Sequence, residues 1–144
     1  MRLVFAFLTA VAVTYLVAVL GYTQLNLANL VEMGVSVPSG VRFESAIHDL
    51  LGMTSLYLPI IAVALLLGFG FARIALIWLS ELSTLGYIAG GFVALYVVDF
   101  ALGQLMGTHP LAVTRTTVGL LSQCLAGGLG GYAFAAIWLK PRGE

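Results

Sequence analysis

The sequence predicts an all-α polytopic membrane protein: an antiparallel four-helix transmembrane bundle with an extended helical hairpin between spans one and two. Three observations predict it. Hydrophobic residues make up 61% of the chain and charged residues 8%, against about 25% charged in an ordinary soluble domain, so water is not its main solvent. The apolar residues fall into four runs, each near the ~20 residues needed to cross bilayer hydrocarbon. The 144 residues leave little chain outside those runs, so one integral membrane domain over 1–144 is expected.

The first run, 3–22, follows Arg2 and has the outline of a secretory signal peptide. No small-x-small cleavage site follows, and it reads as a retained span. Beyond it, Gln24, Asn26, Asn29 and Glu32 gather on one side and Leu27, Leu30 and Val31 on another, so the helix continues past the membrane surface. Gly34 opens a breaker, Gly-Val-Ser-Val-Pro-Ser-Gly, which offers Ser36 or Ser39 as a cap for the next helix. Phe43, Ala46, Ile47, Leu50, Leu51 and Thr54 then recur at helical spacing, with Arg42, Ser45 and Asp49 opposite. Segment 23–52 is therefore expected to be an outer helical hairpin. Its arms prolong spans one and two by about three turns each, roughly 15 Å of rise. They pack through their apolar faces, or leave part of those faces to a partner helix or lipid.

Span two covers 53–71, with an extension to 78, and contains Pro59, Gly68 and Gly70, at which it can kink. Span three covers 85–106 and span four 113–139, joined by a short connection that carries Pro110. Short connections make antiparallel neighbours. Four spans put Arg2, Arg73, Lys140 and Arg142 on one side and Arg42 and Arg115 on the other. The excess of basic residues places the first side, and both termini, in the cytoplasm of a bacterial inner membrane.

Lipid gives apolar helices little hydrophobic reason to associate, so small residues must let backbones approach. Gly86 and Gly90 form one GxxxG and Gly127 and Gly131 another; folding spans three and four about their turn sets both pairs at one depth, where they are expected to meet. Thr116, Gly119, Gln123, Gly127 and Gly130 continue a small, weakly polar stripe along span four, which is either a packing face or a pore lining.

Asp99 is the sharpest chemical signal, because an ionisable residue inside a span is costly and by default functional. Depth counting puts Tyr57 and Thr54 near it, with His48 and Arg42 within reach at the surface; the spacing turns it away from Gly86 and Gly90, and so away from span four. The alternative is a hydrated interfacial acid, or one paired with Arg115. His48 and His109 stand in no metal-ligand spacing and read as solvated, so no metal and no cofactor are expected. The one cysteine, Cys124, forms no internal disulfide and no CxxC motif. Tyr22, Trp78, Tyr87, Tyr132 and Trp138 fall near span ends as interface anchors.

There is no GxSxG, HExxH, P-loop or dinucleotide fingerprint, and no enzyme activity is expected. Net charge is zero, with the basic residues scattered, which argues against nucleic acid as a partner. The expected partners are the lipid bilayer and either further copies, in a homo-oligomer, or a larger membrane complex. The function that fits best is an accessory, assembly or scaffold component acting through helix packing. The alternatives are an oligomeric transporter or channel for a small solute or ion, with Asp99, Tyr57, Thr54, His48, Arg115 and Gln123 as pathway candidates, and a lipid- or apolar-ligand-binding protein.

Overall fold

A computed structural model of the chain describes residues 1–107 and 116–140, the Met106 side chain excepted. Among the described residues every regular element is helical: α1 (Arg2–Glu32), α2 (Ser39–Gly52), α3 (Tyr57–Leu76), a 3₁₀ turn (Ser80–Leu82), α4 (Ser83–Met106) and α5 (Thr117–Trp138). Four of these, α1, α3, α4 and α5, are long and apolar enough to cross a membrane. Much of the connection read at 107–112, with His109 and Pro110, lies outside the described residues, as do Arg115 and Arg142.

Helix α1 has 31 residues, about 46 Å at ~1.5 Å per residue, so it outruns a ~30 Å hydrocarbon slab and projects beyond it. Gly34, with φ 87°, takes the left-handed turn that ends this arm, and Gly107, with φ 65°, ends α4 in the same way. Between α2 and α3 the helix is interrupted at residues 53–56, so the second arm does not run straight into span two. Pro59 supplies the reason. A continuous helix would drive its ring against the carbonyl of Ser55, whereas in the first turn of α3 the missing N–H costs no helical bond. Span two ends at Leu76, short of the extension to 78, and Trp78 is exposed beyond it.

The spans form a ring in the order α1, α5, α4, α3, with extensive α5 contacts to both α1 and α4 and a thinner seam between α1 and α3. Helix α5 holds two neighbours closely because its glycines lie on two faces. On one face Gly130 meets Thr14 and the Ala10 carbonyl of α1, along a ridge of Ala6, Ala10, Thr14 and Ala18 that is wholly buried. On the other, Gly127 lies against the Gly91 carbonyl and Gly131 against the Tyr87 carbonyl of α4. These approaches are too close for any Cβ.

The two GxxxG pairs therefore do not meet. Gly86 and Gly90 face α3, where they oppose Leu76, Ala72 and Gly68, and it is Gly91, about 100° further round the helix, that meets Gly127. The bundle axis is filled by Ile61, Leu65 and Leu95. Nearer the end that carries the N-terminus, Phe69 stacks on Phe134 at 4.6 Å and meets Tyr87 edge-on at 5.8 Å. At that end Arg2 reaches across to α5, donating from Nε to the Ile137 carbonyl at 2.8 Å and from Nη2 to the Lys140 carbonyl. A guanidinium thus satisfies carbonyls that a helix C-terminus leaves without partners.

The hairpin packs with a face only partly shared with the one its sequence pattern suggests: Ala46 and Leu50 of the apolar set turn inward, but beside Arg42, Ser45 and Asp49 rather than with Phe43, Ile47 and Leu51. Arg42, Ser45, Ala46 and Asp49 turn toward α1, while Phe43, Ile47 and Leu51 turn outward at 71%, 42% and 76% exposure. Thr23 donates to Asp49 Oδ2 at 2.7 Å and Arg42 Nη1 donates to Gln24 at 3.3 Å. Polar residues of the two arms satisfy one another, which leaves the apolar ridge of α2 exposed among the described residues.

Candidate functional site: a polar junction of four spans

Four spans contribute to one buried polar cluster. Tyr57, in the first turn of α3, donates its hydroxyl to Gln123 Oε1 of α5 at 2.7 Å. Gln123 Nε2 donates to the Ala18 carbonyl of α1 at 3.1 Å. The partners fix the amide orientation: a backbone carbonyl only accepts, so the NH₂ group must face Ala18 and the oxygen must face Tyr57. Gln123 is fully buried, and these two bonds meet much of the hydrogen-bonding demand of an amide removed from water.

Asp99 of α4 joins the cluster at 4% exposure. It follows Leu95, which packs at Gly127, by one helical turn, and so lies on the α5 side of α4. It therefore faces into the bundle beside α5. The expectation that it turns away from span four assumed that Gly86 and Gly90 face that span. They face α3, and the side of α4 opposite them is the α5 side.

Asp99 Oδ2 is buried and, among the described residues, has no hydrogen-bond partner. Tyr57 cannot supply one while its single proton is given to Gln123. Thr14 Oγ1, pressed against Gly130, is another buried oxygen without a partner among the described residues.

The remaining sequence candidates lie apart. Thr54 sits in the break between α2 and α3, its hydroxyl 3.0 Å from the Tyr15 hydroxyl, to which it can donate while Tyr15 donates to the Leu50 carbonyl, and it ties the hairpin to α1 rather than to Asp99. The His48 side chain is 87% exposed, 3.9 Å from its neighbour Asp49. No group of three or more metal-ligating side chains forms among the described residues. Sequence reasoning missed Tyr15, Thr23 and Gly91. For Gly91 a signal existed: Tyr87, Gly91, Leu95 and Asp99 recur every four residues, and each is buried.

Two lateral grooves open toward the lipid side. The larger, about 630 Å³, runs between α3 and α4 over Ala72, Ala75, Gly86, Ala89, Gly90 and Val93. The smaller, about 290 Å³, lies over the α1–α3 seam above Phe69, with Arg73 on its wall. Comparison of the chain with known protein families, with curated proteins and with solved structures finds no match to any of the three.

Proposed function

We propose that this membrane protein is an accessory or assembly component, not an enzyme, which holds a transmembrane helix of a larger membrane complex in the groove between α3 and α4. The observation that carries this is the groove itself, an apolar trough floored by Ala72, Ala75, Gly86, Ala89 and Gly90. Small residues are what let a further helix approach closely where lipid supplies no hydrophobic drive. A second copy of this chain fills the trough poorly, because a two-fold axis would set one concave face against another. A single convex helix fits. The basic residues Arg2 and Lys140 share one end of the bundle and Arg73 lines a groove with Leu3 and Val4 there, which supports an inner-membrane setting with both termini cytoplasmic.

The test is affinity purification from native membranes in mild detergent with mass measurement, on the natural chain and on Ala89→Trp. Ala89 is exposed, so the indole fills the trough without entering the bundle. The expected result is a defined hetero-complex that Ala89→Trp abolishes while the variant remains folded. A monomer, a homo-oligomer, or a partner indifferent to Ala89→Trp overturns the reading.

A second reading rests on Asp99, whose buried oxygen has no partner among the described residues, which favours proton or cation handling by an oligomeric transporter. Its test is flux in reconstituted vesicles: Asp99→Asn abolishes flux if the carboxylate couples it, and absence of flux from the natural chain sinks this reading.

A further inference from the structure

The hairpin does not carry its amphipathicity as a helix in water does. A surface helix in water turns its apolar stripe to the protein and its charges outward. Helix α2 departs from this: Arg42 and Asp49 are hydrogen-bonded to α1 beside the inward-turned Ala46 and Leu50, and the ridge Phe43, Ile47 and Leu51 is exposed among the described residues. Hiding hydrogen-bonded groups and presenting hydrocarbon is favourable when the surroundings are themselves hydrocarbon.

Depth supports this independently. Arg2 marks the polar boundary at the terminal end, where it binds the last carbonyls of α5. At ~1.5 Å per residue Tyr15 lies about 20 Å along α1 from Arg2 and Thr23 about 31 Å, against a hydrocarbon thickness of ~30 Å. Tyr15 bonds the Leu50 carbonyl and Thr54, and Thr23 bonds Asp49. Those contacts hold the last turn of α2 and the 53–56 break below the far hydrocarbon boundary, with Asp49 at it. The ridge is also continuous with the lipid side of α3, through Leu56 at 75% exposure to Val63 and Leu67 at 58% each.

We infer that α2 is not an extramembrane arm but a helix partly sunk in the leaflet at the hairpin end, its Phe43–Ile47–Leu51 ridge solvated by acyl chains. Glu44 and His48, both exposed at the edge of the ridge, lie where their charges and ring reach the headgroups. The ridge descends toward its C-terminal end, so that Leu51 is the deepest of the three and Phe43 the shallowest.

The test is collisional accessibility of nitroxide labels on Phe43→Cys, Ile47→Cys, Leu51→Cys and His48→Cys in bilayers of phosphatidylethanolamine and phosphatidylglycerol. All four positions are exposed, so labels do not disturb packing, and the native Cys124 is fully buried, which labelling of the unsubstituted chain verifies. Oxygen partitions into hydrocarbon and a neutral nickel chelate into water. The expected result is an oxygen-to-nickel ratio that rises from Phe43 through Ile47 to Leu51, with His48 several-fold lower than Leu51. A Leu51 label as open to nickel as the His48 label places α2 in water and overturns the inference. A Leu51 label shielded from both reagents overturns it too, because another polypeptide or a second copy then covers the ridge.

Discussion

Replacing Gly127 with alanine tests the close contact of α4 and α5 in a way that separates geometry from the general preference of helices for alanine. A Cβ built at Gly127 comes within 2.9 Å of both the Gly91 carbonyl carbon and Leu95 Cγ, and closer still to the Gly91 carbonyl oxygen. Backbone has no rotamer with which to yield, so the two helices must part by about 1 Å; overpacking of this kind costs ~1–3 kcal/mol. Alanine returns up to ~1 kcal/mol of helix propensity, which leaves a net loss of about 0–2 kcal/mol. Gly70 is the matched control, since nothing lies within 4 Å of its Cβ position, and Gly70→Ala should gain about 0.5–1 kcal/mol. Gly86→Ala falls between them, because the atoms nearest its Cβ belong to the Leu76 side chain, the closest a methyl at 2.7 Å, and a side chain can turn aside where backbone cannot. Gly91→Ala should match Gly127→Ala, and the double variant should cost less than the sum, because one separation of the helices accommodates both methyl groups. Cys124, the chain's one cysteine and fully buried, supplies the assay. Its thiol reacts with a maleimide pulse only when the bundle opens, so the labelled fraction across a graded denaturing-detergent titration in bicelles reads stability directly. Should Gly127→Ala and Gly91→Ala prove as stable as Gly70→Ala, the inferred close approach of α4 and α5 is wrong.

Two further outcomes follow from the polar contacts. Tyr57→Phe should cost about 0.6–2 kcal/mol, the range of hydrogen bonds between membrane helices, and combined with Gln123→Leu it should cost less than the two alone, because both sever the same bond; the Cys124 titration measures both. Thr23→Val removes the anchor of Asp49 while keeping shape, so hydrogen exchange in lipid nanodiscs should speed over residues 39–52 and stay unchanged in α4 and α5; uniform acceleration, or none, would show that this bond does not hold the hairpin.

The four long apolar helices and the hairpin were legible because hydrocarbon thickness sets a length that composition reveals directly. Which side of each helix faces inward was not, and the reason is physical. In a bilayer both the lipid side and the protein side of a helix are apolar, so hydrophobic periodicity carries no direction, and Gly90 and Gly91 look equivalent in sequence although one meets α3 and the other α5. The same ambiguity misdirected Asp99, whose position opposite Gly90 was correctly counted but assigned to the wrong neighbour. For the hairpin the difficulty lay in the solvent. Its alternation of Phe43, Ile47 and Leu51 with Arg42, Ser45 and Asp49 marks an amphipathic helix in any medium, but which face turns inward depends on what lies outside. The pairing of Tyr57 with Gln123 joins groups 66 residues apart, through side-chain reach that helical spacing does not encode.

The position of α5 in the ring bears on how the chain is assembled. The two helices it holds, α1 and α4, have already been synthesised when α5 emerges, and without it α1 meets the α3–α4 pair only along their thin seam. A nascent chain short of α5 is thus two loosely joined halves in the bilayer, with the amide of Gln123 not yet present to bridge Ala18 and Tyr57. Bundle closure waits on the late-arriving helix, and until it inserts the fold is unfinished.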